Sequence, residues 1–167
     1  MTLVFMTSVY RGLPVVREKE TFEKHLLMQE CFCIVLTILL GIVLNVMISN
    51  TPLVEISRGY REANSALFSG PLAVRILANA ILVPMLEEVV YRGIVCGQMQ
   101  LWYGKKVSVV VSALLFGMMH FNVVQFLYAF LMGLALGYAY IRYQKLWVPA
   151  AAHGLTNLVV VLFTAFS

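Results

Sequence analysis

Long stretches with almost no charged residue are the feature of this chain that most restricts its fold. Residues 31–49 carry no charge, and about 20 apolar residues in a helix cross the hydrocarbon core of a bilayer. Charged residues make up 12% of the chain and hydrophobic residues 61%, whereas soluble domains are charged at about a quarter of their positions. The net charge of +4 is spread between apolar segments and forms no basic stripe. An integral membrane protein is predicted, with the lipid bilayer as a partner and no role for nucleic acid.

Five apolar runs are predicted to span the membrane, at residues 31–49, 72–103, 107–121, 123–140 and 147–166. The second run contains Pro84 and is either one long helix, kinked there, or two short helices. A single crossing is favoured because it puts eight basic loop residues on one side and only Arg58 and Arg61 on the other, as the positive-inside rule requires. The predicted fold class is therefore all-α, a polytopic transmembrane helix bundle of about five spans with a polar site inside it.

The predicted organisation is one membrane domain behind a charged leader. Residues 1–30 are rich in Lys, Arg and Glu and are expected to form an N-terminal cytoplasmic segment. Residues 31–167 form the transmembrane helical domain. Within it, residues 50–71 contain Pro52, Gly70 and several charges, and they are predicted to form a loop.

A cluster of three charges interrupts the second span, which otherwise carries only Arg75. Glu87, Glu88 and Arg92 lie in apolar sequence, where each costs about 2.5–3.5 kcal/mol at the centre of a bilayer helix and so indicates function. Glu88 and Arg92 are four residues apart and are predicted to pair on one helix face. Glu87 is rotated by about 100° from Glu88. Its carboxylate is therefore expected to remain available for chemistry.

Further polar residues occur in the later spans. His120 ends a run of apolar residues, and His153 and Asn157 are four residues apart, so they share a helix face. A single histidine in a helix is usually structural, but polar side chains in lipid find partners most easily in one another. Glu87, the two histidines and Asn157 are therefore predicted to converge in a hydrolytic centre. There a carboxylate near a histidine takes a proton from water, and His153 and Asn157 stabilise an oxyanion.

Three motifs resemble those of a known family. Glu87 to Arg92 fits EExxxR, Phe116 to His120 fits FxxxH, and His153 to Asn157 fits HxxxN. In this order, on separate helices, they resemble the CPBP (Abi) intramembrane proteases, which are related to the type II CAAX prenyl endopeptidases. The resemblance covers about residues 72–166.

The resemblance implies hydrolysis of a peptide bond in a membrane-associated or lipidated peptide or protein. In that reading Glu87 activates water with help from His120, and His153 and Asn157 bind the oxyanion. Glu88 and Arg92 form a supporting ion pair. No cofactor is expected. The implied location is the bacterial cytoplasmic membrane, as a multi-pass protein with its N-terminus inside.

Other functions remain open at this stage. Glu87, His120 and His153 are the residues that would bind zinc, although the HExxH spacing that would indicate such a site does not occur. A non-catalytic adaptor or bacteriocin immunity protein would keep the same scaffold without cleavage. A proton-coupled carrier would also bury Glu and His, but the chain lacks the repeated halves that such carriers usually have.

The depth of the two histidines poses a difficulty. His120 follows Lys106 by 14 residues, or about 21 Å of helix, whereas His153 follows Lys145 by only eight, or about 12 Å. Both lysines are predicted on the same side of the membrane. A tilted helix or a turn that re-enters the bundle after Arg142 would be needed to bring the histidines together.

Overall fold

A computed structural model describes residues 1–14 and 24–166, and within these ranges all regular structure is helical. The helices are α1 (Thr2–Gly12), α2 (Lys24–Ser49), α3 (Pro52–Ile56), α4 (Arg58–Leu67), a long helical run (Leu72–Met118), α7 (Val123–Tyr143) and α8 (Trp147–Phe166). The stretch from Arg17 to Glu23, which carries much of the predicted leader's charge, lies outside the described residues.

The long run is two antiparallel helices, because the chain reverses at Gly104. This residue has φ 78° and ψ 171°, a conformation that glycine adopts at little cost. We call the two arms α5 (residues 72–103) and α6 (residues 105–118). They pack side by side, and the Ser112 hydroxyl donates a hydrogen bond of 2.7 Å to the Tyr91 carbonyl.

The architecture is a polytopic transmembrane helix bundle, as predicted. Among the described residues, Leu26–Ser49, Val123–Tyr143 and Trp147–Phe166 are long and apolar enough to cross a membrane, and a fourth span is reached if the bent pair of α4 and the long run is counted as one. Helices α5 and α6 occupy the second and third predicted spans. The arrangement is consistent with about five spans.

Pro84 does not break α5. The backbone is helical at Leu82, Val83 and Val89, so the alternative of two short helices is excluded. The helix is instead a more loosely wound π-helix over Ile76–Leu82 and Val89–Cys96, where each N–H bonds to the carbonyl five residues earlier. The Val83 N–H, for example, bonds to the carbonyl of Ala78.

The prediction that residues 50–71 form a loop was wrong. This segment contains α3 and α4, and α4 begins after Ser57, whose side chain accepts a hydrogen bond from the Tyr60 N–H. The charges of this segment favoured a loop, but they lie on one side of a helix. Arg58 and Glu62 form an exposed ion pair on the outer face of α4. Tyr60 and Ala63 lie on the opposite face and line a cavity in the bundle.

Two glycines of α7 allow a close approach of α6. A Cβ at Gly133 would lie 3.0 Å from Cα of Ala113, and one at Gly137 would lie 3.2 Å from Val109. Helix α7 therefore lies directly against α6. On its other side α7 contacts α2, and α8 contacts both α2 and α5, so that α5 lies between α6 and α8.

Four basic residues lie together at one end of the bundle. Lys105 and Lys106 follow the Gly104 turn, Arg142 lies in the last turn of α7, and Lys145 lies in the turn that follows it. Lys145 contacts Glu30 near the start of α2. Helix α4, with Arg58 and Arg61, follows the opposite end of α2. The segregation of charge matches the predicted topology, and the orientation of the basic end toward the cytoplasm stays a prediction.

Candidate active site

The two adjacent carboxylates on α5 have different surroundings. Glu88 is completely buried, and its Oε1 lies 3.0 Å from Nη1 of Arg92, which is also completely buried. Nη2 of Arg92 donates a hydrogen bond of 3.3 Å to the carbonyl of Gly133, and its guanidinium lies 4.4 Å from the ring centre of Phe116. The i, i+4 spacing brings this pair together, and α6 and α7 enclose it.

Glu87 faces a cavity of about 510 Å³. Its side chain is 26% exposed, because one step along the helix turns it away from the buried pair. His120, His153 and Asn157 line the same cavity. The structure therefore brings the four residues predicted for the hydrolytic centre around one space.

His153 bridges the two carboxylates. Its Nδ1 lies 2.9 Å from Oε1 of Glu88, and its Nε2 lies 3.7 Å from Oε2 of Glu87. Because a carboxylate paired with Arg92 is an acceptor, Nδ1 carries the proton in this contact. Nε2 is left pointing toward Glu87 and the cavity. In many active sites a carboxylate binds one ring nitrogen of a histidine while the other nitrogen takes part in the reaction.

His120 lies in the turn after α6, since that helix ends at Met118 and not near Phe121 as predicted. Its Nδ1 is 3.0 Å from the carbonyl of Phe116. A carbonyl only accepts hydrogen bonds, so Nδ1 donates and Nε2 carries the lone pair. A neutral His120 can therefore accept a proton or a hydrogen bond at Nε2.

Phe116 lies between the histidines and links them. Its ring centre is 5.3 Å from that of His120 and 5.7 Å from that of His153, with both contacts edge-to-face. Such contacts hold the rings in fixed orientations. The histidines thus lie against one aromatic ring, although one comes from the turn after α6 and the other from α8.

The expected difference in depth is reduced by the turn between α7 and α8, which enters the bundle. Gln144 in this turn is buried and donates a hydrogen bond of 2.9 Å to Gln100. Gln100 precedes the Gly104 turn by four residues, or about 6 Å of helix. Helix α8 therefore starts about one turn deeper than α6, which brings His153 closer to the level of His120.

Asn157 is held by a residue that the sequence analysis missed. Its Nδ2 donates a hydrogen bond of 2.9 Å to the backbone carbonyl of Asn79 on α5. The Asn79 side chain donates in turn to the carbonyl of Leu67, at 2.7 Å. An amide in an apolar span was a signal for this residue, because polar groups in lipid need partners.

The remaining walls of the cavity come from regions to which no function was assigned. Helix α4 contributes Tyr60 and Leu67, and α7 contributes Tyr128 and Met132. These side chains are mainly apolar or aromatic. The cavity therefore combines an apolar wall with a small polar centre, as ligand sites usually do.

The three residues considered for zinc, Glu87, His120 and His153, line the cavity. Nδ1 of His153 contacts Glu88 and Nδ1 of His120 contacts a backbone carbonyl, so only Nε2 of each ring would be available to a metal. Within residues 1–14 and 24–166, no three His, Cys, Asp or Glu side chains are grouped as metal ligands. No step of the chemistry below is routed through a metal.

Comparison with known proteins agrees with the geometry. The family described as "Type II CAAX prenyl endopeptidase Rce1-like" matches residues 69–159, more than half of the chain. The chain is also 30% identical over 87 residues to "Putative membrane peptidase YdiL" of Bacillus subtilis (strain 168). That match covers 52% of this chain and 36% of the relative, so the chain spans only about a third of the relative's length. No solved structure matches significantly.

The matched residues contain all three motifs on which the resemblance to the CPBP proteases was based. They also contain Glu87, Glu88 and Arg92 on α5 and the two histidines and Asn157 around the cavity. The chain therefore belongs to the Rce1-like family of type II CAAX prenyl endopeptidases, within the CPBP proteases, and it is an integral membrane protein.

Proposed function

We propose that this protein is an intramembrane endopeptidase in which Glu87 activates a water molecule. The observation that carries the proposal is the environment of Glu87. Its carboxylate is partly open to the cavity and lies 3.7 Å from an imidazole whose other nitrogen is bound to Glu88. A carboxylate with this access is suited to act as a general base.

The reaction follows from the order of the groups around the cavity. Glu87 takes a proton from water, and the water oxygen attacks the carbonyl carbon of the scissile peptide bond. The resulting tetrahedral intermediate carries a negative oxygen. Glu87 then delivers the proton to the peptide nitrogen, the C–N bond breaks, and a carboxylic acid and an amine leave. General acid–base catalysis of this kind contributes about 10²- to 10⁴-fold.

His153 and Asn157 are assigned to the oxyanion. Asn157 uses one hydrogen of Nδ2 for Asn79, and its second hydrogen is free for a ligand because an amide nitrogen has two. His153 donates from Nε2 when it is protonated, and the neighbouring Glu88 stabilises that cation. His120 assists with its Nε2 lone pair by orienting the attacking water.

The proposed substrate is a membrane-associated or lipidated peptide or protein. Its apolar part would lie along the wall formed by Tyr60, Leu67, Tyr128 and Met132, and its peptide bond would lie beside Glu87. The family's printed description names prenyl endopeptidases, and a prenylated C-terminal peptide is therefore the first substrate to test.

The test is cleavage by the purified protein in lipid vesicles. Prenylated C-terminal peptides and unprenylated membrane peptides are incubated with the unchanged protein, with Glu87→Gln and with Glu55→Gln, and the products are identified by mass spectrometry. Glu55 lies on the exposed face of α3 and provides the same change of charge away from the site. We expect cleavage by the unchanged protein and by Glu55→Gln, and a loss of about 10³-fold or more for Glu87→Gln.

Normal cleavage by Glu87→Gln would remove Glu87 from its role. Absence of cleavage of every peptide by the unchanged protein would favour the non-catalytic adaptor. In that case a phenotype in cells would survive Glu87→Gln but not changes to the outer faces of the helices.

A further inference from the structure

The hydrogen-bond pattern of α5 leaves the backbone carbonyl of Asn79 without a helical donor. In an α-helix the donor would be the N–H of residue 83, but the Val83 N–H is bonded to Ala78. In the looser winding of Ile76–Leu82 the donor would be residue 84. Residue 84 is a proline and has no N–H. The carbonyl must therefore find a partner outside its own helix.

The partner is Asn157. Its Nδ2 lies 2.9 Å from the Asn79 oxygen, across the interface between α8 and α5. In an apolar bundle an unsatisfied carbonyl is costly, so this bond stabilises both groups. It also fixes the direction of the amide that the proposed mechanism assigns to the oxyanion.

The next carbonyl along α5, that of Ala80, lies where α8 and α5 approach most closely at a glycine. A Cβ at Gly154 would lie only 2.6 Å from the Ala80 oxygen, so α8 approaches this point as only glycine permits. Pro84 is fully buried at this level of the helix, and its missing N–H leaves the Asn79 carbonyl available to α8.

We propose that Pro84 is a positioning residue for the active site, because it frees the Asn79 carbonyl to hold Asn157 against the cavity. The inference rests on the proposed proteolytic function for its catalytic consequence. The underlying hydrogen-bond exchange is independent of that function. Pro84 acts through Asn157 and touches no reacting atom.

The first test measures stability and needs no substrate. Melting temperatures are compared for the unchanged protein, Pro84→Ala, Asn157→Ala and the double variant in the same detergent. In the presence of Pro84, Asn157→Ala leaves the Asn79 carbonyl unpaired and is expected to lower the melting temperature clearly. In Pro84→Ala the new N–H can bond to that carbonyl, so the further loss from Asn157→Ala is expected to be at most half as large. Equal losses in both backgrounds would overturn the proposal.

The second test measures cleavage. Pro84→Ala restores a hydrogen-bond donor and a better helix former but removes two buried methylene groups, so its melting temperature should stay close to that of the unchanged protein. Its kcat is nevertheless expected to fall about 10- to 100-fold, because displacement of a catalytic group by about 1 Å has effects of that order. KM should change little. Pro149→Ala is the control, because Pro149 is also a fully buried proline and lies near the start of α8.

The outcomes separate the two proposals. If the unchanged protein cleaves no peptide, the proposed function fails, and the melting temperatures still decide whether Pro84 frees the carbonyl for Asn157. If it cleaves and Pro84→Ala retains full kcat, or if Pro149→Ala loses as much, the positioning role of Pro84 is wrong while the proposed function stands.

Discussion

Two groups of polar residues that are fully or partly buried in this bundle invite comparison. One is the active-site group of Glu87, Glu88, Arg92 and His153. The other, which we call the closed cluster, consists of Glu30, Gln100, Gln144 and Lys145 at the basic end. There Lys145 lies 2.9 Å from Glu30, and Gln144 donates to Gln100 at 2.9 Å.

The two groups differ in their access to the cavity. No residue of the closed cluster lines the 510 Å³ cavity, whereas Glu87 and His153 do. The Glu30 and Glu88 carboxylates each face a cation directly. The cation nearest to Glu87 among the described ion pairs is the more distant Nε2 of His153, at 3.7 Å. Burial of charge in a membrane bundle is therefore a weak indicator of chemistry, and a carboxylate with access to a cavity is a stronger one.

The largest effect is expected when the buried ion pair of the active site is broken. Arg92→Met leaves the Glu88 charge inside the bundle and should lower the free energy of unfolding by about 3 kcal/mol, the lower end of the usual range. His153 still donates to Glu88 and offsets part of the loss. Thermal unfolding in detergent measures this change in the free energy of unfolding. The double variant Glu88→Gln with Arg92→Met should recover most of the stability but not cleavage, and recovery of cleavage would show that the pair does not position His153.

A smaller effect is expected at His120. His120→Ala should reduce kcat by about 10²-fold through loss of the Nε2 lone pair, with little change in melting temperature because the residue lies in a turn. Peptide cleavage in vesicles measures kcat. The matched control is Phe121→Ala, whose side chain is 87% exposed. Equal kcat values for the two variants would exclude His120 from the mechanism.

The closed cluster should contribute to stability alone. Glu30→Gln removes the partner of Lys145 and is expected to cost about 1–2 kcal/mol in the free energy of unfolding. The cost is limited because the Lys145 side chain is 20% exposed and can extend toward water. Cleavage should stay within about twofold of normal. A large loss of kcat without loss of stability would contradict the distinction between the two groups.

The smallest expected effect is that of removing divalent metals. Because the proposed mechanism activates water through Glu87, and no three His, Cys, Asp or Glu side chains among the described residues are grouped as metal ligands, we expect a strong chelator to leave cleavage unchanged. The measurement is kcat before and after dialysis against the chelator. Loss of cleavage that is restored by zinc alone would instead assign Glu87, His120 and His153 to a metal site.

Much of the active site could be predicted because its signals are local. Glu88 and Arg92 are one helical turn apart, and any α-helix through them brings them together. His153 and Asn157 share a face for the same reason. The long apolar runs also predicted the helices, since a backbone in lipid must satisfy its own hydrogen bonds.

Other features could not be predicted because they depend on contacts distant in sequence. Asn79 meets Asn157 only after α5 and α8 have packed at one particular depth. Helix α4 was missed because its charges lie on the outer face, and nothing in the sequence showed that Tyr60 and Leu67 would face a cavity. A turn that re-enters the bundle after Arg142 was one of two alternatives left open by the sequence, and the contact that decides for it joins Gln144 to Gln100, 44 residues earlier.

The amino-acid sequence by itself determined that this protein lies in the membrane, that its charges must be paired there, and that Glu87 and Glu88 point in different directions. Only the tertiary structure decided that the pair of Glu88 and Arg92 is enclosed by the bundle, and that Glu87 faces a cavity where it meets His153. The physical reason is that the period of a helix fixes the angle between neighbouring side chains. The rotation and depth of each helix are set by packing against the others.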